Sequence, residues 1–254
     1  MHKVSHCIVC ENKKIVKTKS RLSDFIVYYL FNGIRPDCEV IYCPECGYRG
    51  SDIRFDEDEL QRHYWGYRGE YYRFVRNHIE PSYAKIVDLI DGEEEVAFRK
   101  KYMLDFFTGI VDYSKIKTLL DYGGYMGQYI LEEFSNANCL MYDTGEHNKV
   151  DIDSIDKVDF VMINHVLEHV SYPDHLLKHI RTMCREDTIL YAEVPLIDHW
   201  TECVGAISEH INFFNEKCFK KFLNYNGFTI TKIGTSYSYF PWLGSVINCC
   251  AKLS

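Results

Sequence analysis

The stretch LLDYGGYMGQYILEEF, residues 119–134, constrains the fold more than any other part of the sequence. It contains a short apolar run, then three glycines within five residues, then a pattern of helical period. A strand that ends on glycines and continues as a helix leaves backbone amides pointing at an anionic ligand. We therefore predict a buried strand at 117–122, a helix at 127–136 and a ligand-binding loop between them.

The alternation of strand and helix continues to the end of the chain. Continuous apolar runs indicate strands covered on both faces, and amphipathic patterns indicate helices. Strict alternation predicts an α/β fold with a doubly wound, mostly parallel sheet, whose ligands bind beyond the carboxyl ends of the strands. The predicted strands are 138–143, 158–164, 188–194, 229–234 and 245–252, and the predicted helices are 173–184 and 215–228. The segments expected to reach the ligand are 121–127, 143–147, 164–169 and 193–199.

Two close cysteine pairs stand near the N-terminus, Cys7 with Cys10 and Cys43 with Cys46. Two thiolates at this spacing can share one tetrahedral ion, and Gly47 suits the tight turn after the second pair. The 32 residues between the pairs exceed the usual zinc-ribbon interval. We nevertheless favour Zn²⁺ over four unconnected cysteines. Four cysteines would fill the coordination shell, so the predicted zinc is structural.

The sequence divides into three predicted regions. A zinc-binding head spans residues 1–51, and the main domain spans residues 111–254. Between them, residues 52–110 carry aromatic, helix-like patterns that are interrupted at Pro81 and predict linking helices. Within the head, the segment 24–33 is expected to form a strand or a helix over the metal.

Composition and charge narrow the class of partner. The sequence has no apolar run of about 18 residues, which is the length that a membrane span requires. The N-terminus lacks the apolar core of a signal peptide, so we expect a cytoplasmic protein. The net charge of −8 argues against a protein that follows nucleic-acid phosphates. We therefore expect a small-molecule partner.

The glycine loop does not fit a dinucleotide. The fingerprint G-x-G-x-x-G fails, because Tyr125 and Gln128 stand where its second and third glycines would be. The order acid-x-G-x-x-x-G, from Asp121 to Gly127, fits instead. The next predicted strand ends at Asp143, whose carboxylate could accept both hydroxyls of a ribose. Nicotinamide chemistry is therefore disfavoured.

At this point the sequence resembles a class I S-adenosylmethionine-dependent methyltransferase, a family with a seven-stranded type of sheet. The resemblance covers about residues 117–233. The head followed by HYWGY is similar, more loosely, to sugar C-methyltransferases, which carry an N-terminal zinc-binding domain and modify nucleotide-linked sugars. The motifs that carry the resemblance are LLDYGGYMG, LMYD, VDFVMINHVLEHVSYPDHLLKHI, ILYAEVP and EHINFFNEKCFKKFLNYNGF.

The resemblance implies a set of cofactor-binding residues. The glycine loop would hold the methionine part of the cofactor, Asp143 the ribose, and Asp151 or Asp153 the adenine. Tyr125 stands where the family commonly has glycine, and we expect it to have a negative φ and a ring that points away from the cofactor. The implied residues are Asp121, Gly123, Gly124, Tyr125, Gly127, Asp143, Thr144, Asp153, Asn164 and His165.

Methyl transfer needs an aligned nucleophile, and a hydroxyl or carbon acid also needs a base. Histidine suits that role because its pKa lies near neutrality. His165 follows the third strand, and the resemblance implies that Glu209 and His210 lie at the active site. It implies the same for Tyr64 and Tyr67, in a segment that we interpret as a flap rather than as core packing. A structural role for either histidine remains the alternative.

Two further observations refine the prediction. Ile207 stands where the sugar C-methyltransferases have tyrosine, so transfer to oxygen is favoured slightly over transfer to carbon. The pairs His165/His169 and His175/His179 have the spacing of helical zinc ligands, but neither contains the glutamate of HExxH. We expect that neither pair binds a catalytic metal and that His169 has a structural role.

The sequence thus predicts methyl transfer from S-adenosylmethionine to a small polar acceptor. The expected class is a nucleotide-linked sugar or another precursor of a surface polysaccharide, and an anionic phosphate-type oxygen would need no base. The alternatives are a binding module that kept the fold without the reaction, and an RNA methyltransferase.

Overall fold

The computed structural model describes residues 1–144, 150–197, 207–240 and 244–254. The strands are β1 (His2–Lys3), β2 (Val16–Ser20), β3 (Cys38–Tyr42), β4 (Arg49–Ser51), β5 (Ile53–Arg54), β6 (Thr118–Tyr122), β7 (Asn138–Tyr142), β8 (Val158–Asn164), β9 (Cys184–Pro195), β10 (Asn212–Phe213), β11 (Phe228–Tyr237) and β12 (Ser245–Leu253). The helices are α1 (Asp24–Phe31), α2 (Glu57–Tyr64), α3 (Glu70–Ile79), α4 (Tyr83–Ile90), α5 (Glu93–Phe107), α6 (Pro173–Thr182) and α7 (Glu216–Tyr225).

The main sheet has the order β11-β12-β9-β8-β6-β7. Strands β6 to β9 are parallel, whereas β12 is antiparallel to both β9 and β11. Tyr122 is in register with Tyr142 and Ile163, and Asn164 is in register with Glu193. The loops that follow β6, β7 and β8 therefore leave the sheet at one edge. The predicted α/β fold with a mostly parallel sheet is confirmed.

The predicted helix at 127–136 is wrong. This segment consists of turns and one short 3₁₀ turn at Glu132–Phe134. Gly127 begins it with a φ of +74°, and Leu131 is extended, with φ −75° and ψ 150°. Both conformations break the run of α-helical hydrogen bonds, while Leu131 and Phe134 are buried in the core. A helix dipole therefore does not contribute to ligand binding at this loop.

The head and the main domain share a small antiparallel sheet, in the order β10-β4-β3-β2. Strand β10 comes from the main domain and pairs with β4 of the head. Beneath this pairing, the Tyr48 hydroxyl donates to Asn212 Oδ1 at 2.7 Å. The amide of Asn212 in turn donates to the backbone carbonyls of Leu167 and Val170, at 2.8 and 2.7 Å. One buried side chain thus ties the head to the loop that follows β8.

Helices α2 to α5 fill the predicted linker and cover the carboxyl edge of the main sheet. Helix α5 is anchored by Phe107, whose ring lies 4.8 Å from that of Tyr191 on β9. Helix α1 forms between the two cysteine pairs, and it packs on the linker rather than over the cysteines. Phe25 of α1 and Tyr72 of α3 have ring centroids 5.0 Å apart. Among the described residues, no helix is long and apolar enough to cross a membrane.

Candidate functional site

A cavity of about 980 Å³ lies between the carboxyl edge of the main sheet and helices α2 to α5. Most of the residues predicted for the site line it, although they come from widely separated parts of the sequence. The predicted residues in its wall are Tyr64, Tyr67, Asp121, Gly123, Gly124, Tyr125, Asp143, Thr144, Asn164, His165, Glu209 and His210. Gly127 and Asp153 are not part of the wall.

The three glycines of the loop lie too close to their neighbours to be replaced by residues with side chains. A Cβ on Gly123 would lie 2.4 Å from Val166 Cγ2, and a Cβ on Gly124 would lie 1.9 Å from Asp121 Oδ2. Gly127 has a different function, because its Cβ would meet Met141 Sδ of β7 at 2.7 Å. The first two glycines thus shape the cavity wall, and the third packs the loop on the sheet.

Tyr125 differs from its prediction. Its φ is +52°, which is the left-handed region, and not the negative value expected from its side chain. The residue therefore adopts a glycine-type conformation despite its Cβ. Its backbone N–H donates to Asp143 Oδ2 at 3.2 Å, so the loop after β6 is bound to the end of β7. Its side chain is exposed on the rim, with 41% of the residue accessible.

Asp121 and Asn164 bring unpartnered polar atoms to the wall of the cavity. Both carboxylate oxygens of Asp121 are buried without a hydrogen-bond partner, and so are the amide atoms of Asn164. Burial, together with the nearby carboxylate of Asp143, raises the pKa of Asp121 to about 7. Unpaired buried polar groups are costly, so this wall is suited to a ligand with complementary hydrogen-bonding groups.

The predicted ribose and adenine residues lie at different depths. Asp143 is half-buried in the cavity wall, and Thr144 beside it is exposed. Asp153 lies on an exposed 3₁₀ turn at Ile152–Ser154, away from the wall. Parts of two predicted ligand segments, 145–147 and 198–199, lie outside the described residues.

His165 is held between two buried glutamates. It follows β8 with a left-handed φ of +53°. Its Nδ1 lies 3.0 Å from Glu168 Oε1, and its Nε2 lies 3.0 Å from Glu193 Oε1. Burial and Arg99 would lower the pKa of His165, but these two hydrogen bonds outweigh them and raise it to about 9. The imidazole is therefore a bound cation at neutral pH.

Glu193 connects His165 to the linker. It forms an ion pair with Arg99 of α5 and accepts a hydrogen bond from the Tyr191 hydroxyl at 2.9 Å. Burial would raise the pKa of Glu193, but Arg99 and His165 lower it to about 2. The sequence predicts residue 193 to lie in a ligand-facing segment but indicates no role for it. No signal in the sequence pointed to Arg99.

Glu209 is anchored by the linker rather than free to act on a substrate. Its two carboxylate oxygens accept from the Tyr67 hydroxyl at 3.0 Å and the Tyr72 hydroxyl at 2.9 Å. Arg76 of α3 forms an ion pair with the same carboxylate. Tyr67, predicted as a catalytic residue, therefore positions Glu209, while Arg76 also bonds Ser208 Oγ at 3.0 Å.

Two histidines lie next to each other in the wall of the cavity. The rings of His169 and His210 are 4.6 Å apart, edge to face, and Tyr64 lies 6.5 Å from His169. The Nδ1 of His169 lies 3.2 Å from the backbone oxygen of Glu209. Among the described residues, no hydrogen bond is formed by the ring nitrogens of His210. The predicted Glu209–His210 pair thus separates into an anchored glutamate and a histidine that faces the cavity.

The four cysteines of the head form one cluster. Their sulfur atoms all lie within 4.8 Å of one another. Cys7 Sγ is 3.5 Å from Cys46 Sγ, and Cys10 Sγ is 3.6 Å from Cys43 Sγ. The fold therefore brings the four sulfur atoms together, as the ligands of one tetrahedral ion must be.

The sequence matches the model of one known protein family, described as "Methyltransferase domain", over residues 94–233. This match covers more than half of the chain, including α5, the glycine loop, His165 and His210. No curated protein matches the sequence significantly.

Solved structures of three methyltransferases resemble this fold. The 1,6-didemethyltoxoflavin-N1-methyltransferase of Burkholderia thailandensis, solved with its substrate and S-adenosylhomocysteine, has a TM-score of 0.52 and 14% identity, over 85% of this chain and 96% of that one. Magnesium protoporphyrin IX methyltransferase of Synechocystis PCC 6803 has a TM-score of 0.50 and 14% identity, over 71% and 99%. For mitomycin 7-O-methyltransferase the TM-score is 0.49 and the identity 16%, over 71% of this chain but only 60% of that one.

The left-handed conformation of Tyr125 predicts a difference between two truncations. Tyr125→Gly removes the steric cost of the positive φ, whereas Tyr125→Ala keeps it, and both remove the same exposed ring. We expect the glycine variant to be more stable by about 1 kcal/mol. Chemical denaturation of both variants measures this difference. Equal stabilities would show that residue 125 does not adopt a left-handed conformation in solution.

The raised pKa of Asp121 predicts a pH dependence of stability. The folded protein holds this proton up to pH of about 7, while the unfolded chain releases it near pH 3.9. This group therefore makes the free energy of unfolding fall as pH rises between those two values. Asp121→Asn should remove the contribution of this group to the fall in the free energy of unfolding. Melting curves recorded at intervals between about pH 4.5 and 8 measure the difference. The exposed Asp187→Asn variant should behave like the wild type, and an unchanged slope in Asp121→Asn would contradict the assignment.

Proposed function

The chain belongs to the methyltransferase-domain family, and we propose that it transfers the methyl group of S-adenosylmethionine to a small polar acceptor bound in the same cavity. One observation carries this proposal. The cavity has unpartnered polar groups at the ends of β6 and β8, and two adjacent histidines on the wall nearest the linker. A single cavity can thus hold a cofactor at one end and an acceptor at the other.

The residues at the sheet edge fit the cofactor. Asp143 can accept the ribose hydroxyls. The N–H of Gly123 donates to the backbone oxygen of Tyr142 at 2.7 Å, and that of Tyr125 donates to Asp143. The amide of Gly124 is therefore the one of the three loop amides that can bind the methionine carboxylate. Asp121 and Asn164 offer acceptors and a donor to the remaining polar groups of the methionine part. The bound cofactor supplies an electrophilic methyl group on a sulfonium. The protein must align the acceptor behind that methyl group, which supplies much of the rate.

His165 is better suited to positioning than to proton transfer. Both of its ring nitrogens lie at hydrogen-bond distance from carboxylates, so neither is available to take a proton from the acceptor. We propose that it fixes the end of β8 beside the cofactor and connects the sheet to α5 through Glu193. His210, whose ring faces the cavity, is the predicted catalytic residue that remains at the reacting end, with Tyr64 beside it.

We propose oxygen as the methylated atom of a carbohydrate-type acceptor, such as a nucleotide-linked sugar or another precursor of a surface polysaccharide. Ile207, which replaces the tyrosine of the C-methylating relatives, is 3% exposed and packs with Leu22 in the core of the head. The linker side of the cavity combines apolar residues such as Ile86 with polar ones such as Tyr64 and Arg68, a mixture that suits the ring and the hydroxyls of a sugar. An acceptor oxygen that is already anionic, as on a phosphate-type group, would react without a base.

We further propose that the cysteine cluster holds a structural zinc ion. The N–H of Val9 points to Cys7 Sγ at 3.4 Å, and the N–H of Tyr48 points to Cys46 Sγ at 3.4 Å. Such contacts from the backbone stabilise thiolate ligands. The tight turn after the second pair is made by Gly47, with a φ of +83°.

Titration calorimetry tests the cofactor assignment. S-adenosylmethionine and S-adenosylhomocysteine should bind with micromolar affinity, and Asp143→Ala should weaken both by about 10- to 100-fold through lost hydrogen bonds. The exposed Asp156→Ala variant is the matched control. Absence of binding at millimolar ligand would overturn the cofactor assignment and favour a binding module that kept the fold without the reaction.

Mass spectrometry with nucleotide-sugars, sugar phosphates and RNA then identifies the acceptor class. Methylation of RNA alone would overturn the carbohydrate proposal.

Elemental analysis tests the structural zinc. We expect one zinc ion per chain that survives gel filtration, and its loss together with a lower melting temperature in Cys43→Ser, because the metal links both ends of the head. Cys38→Ser, which alters a buried cysteine outside the cluster, should keep the zinc. A wild-type protein free of zinc would refute the proposal.

A further inference from the structure

We propose that Glu168, His169 and His210 form a second, open site for a divalent transition-metal ion inside the cavity. One ligand atom from each of these residues lies within 4.8 Å of the others. Glu168 and His169 follow β8, whereas His210 precedes β10, so the set joins two distant parts of the chain. The i, i+4 spacing of His165 and His169 does not predict this site. His165 is bound to two glutamates, and the second histidine of the site is His210.

His169 is oriented as a metal ligand. Its Nδ1 can donate its proton to the backbone oxygen of Glu209 at 3.2 Å, which leaves the lone pair on Nε2. Metal-bound histidines usually donate their other N–H to a carbonyl or a carboxylate in this way. Nε2 then lies 3.9 Å from Glu168 Oε1. An ion about 2.0–2.2 Å from each atom spans such a gap.

Glu168 provides the independent observation that points to a cation. Its side chain is 2% exposed. Its Oε1 accepts a hydrogen bond from His165 at 3.0 Å and retains a second lone pair for an ion beside His169 Nε2, which is 3.9 Å away. Its second oxygen, Oε2, is buried without any hydrogen-bond partner. A buried carboxylate with an unpaired oxygen is costly, and a cation bound to the same carboxylate offsets part of that cost.

The geometry is that of a reactive site rather than a structural one. Glu168 is fully buried, while His169 and His210 line the cavity, so the ion has protein on one side and open space on the other. Three protein ligands leave positions for an acceptor oxygen, whereas the four cysteines of the head would close their ion off. Two imidazoles and one carboxylate suit zinc, manganese, iron, cobalt or nickel.

This inference rests on the proposed function and narrows its substrate. An acceptor hydroxyl at the open position would lose its proton to solvent at neutral pH. Its oxygen lone pair then forms the new C–O bond, the C–S bond of the sulfonium breaks, and its electron pair stays on sulfur as S-adenosylhomocysteine. Two neighbouring oxygens bind such an ion better than one. We therefore assign the acceptor to the class of vicinal diols, as found in a sugar ring.

Cobalt titration tests the site without any need for activity. Protein whose head contains zinc should bind one further Co²⁺ per chain, with the weak visible bands of nitrogen and oxygen ligation. Glu168→Gln and His210→Ala should each weaken this binding by more than about 100-fold, since even the loss of a residue that only hydrogen-bonds to a ligand costs about 10- to 100-fold. His175→Ala alters an exposed histidine outside the cavity and should bind Co²⁺ as the wild type does. Circular dichroism and zinc content verify that each variant is folded.

The outcomes separate this inference from the proposed function. Absence of a further Co²⁺ in the wild type, or unchanged binding in both ligand variants, overturns the metal site. Methyl transfer that persists after this metal is removed overturns its role in the reaction and the assignment of a vicinal diol, while leaving the methyltransferase intact. Co²⁺ binding without any methyl transfer would support the site and refute the reaction.

Discussion

The register of the parallel strands is the constraint on which the rest of the structure depends. Because β6, β7 and β8 end side by side, Gly123, Asp143 and His165 meet at one edge although they are distant in sequence. Parallel strands also require crossovers, so each of these residues begins a loop rather than a hairpin. The cavity exists because helices α2 to α5 close over that edge. Loss of register in β6 would shift its side chains to the wrong face and disrupt the part of the cavity where we propose that the cofactor binds.

Buried ion pairs connect helices α3 and α5, which cover the cavity, to the residues on its sheet side. Arg99 of α5 pairs with Glu193 of β9, and Arg76 of α3 pairs with Glu209. Removing one partner from such a pair leaves an uncompensated buried charge, which costs much more than the pair itself contributes. The linker is therefore part of the site, and the shared sheet formed by β4 and β10 holds the head in the same unit.

The sequence predicted the strands well because a strand buried on both faces must be continuously apolar. It predicted the cysteine cluster because ligand spacing is local. It did not predict the conformation after the glycine loop, where burial of Leu131 and Phe134 outweighs the helical period. It also did not predict the left-handed φ of Tyr125, because a residue with a Cβ disfavours that region. The partners of Glu193 and the proximity of His169 to His210 depend on tertiary contacts, and no local pattern encodes them.

We propose that one cavity holds the cofactor at the sheet edge and the acceptor beneath the linker. A crystal structure of the protein with S-adenosylhomocysteine tests this most directly. We expect electron density for the ribose beside Asp143, for the amino acid part at Gly123 and Gly124, and for the sulfur facing His169 and His210. Density for the ligand away from the glycine loop, or with its sulfur turned from these histidines, would contradict the account.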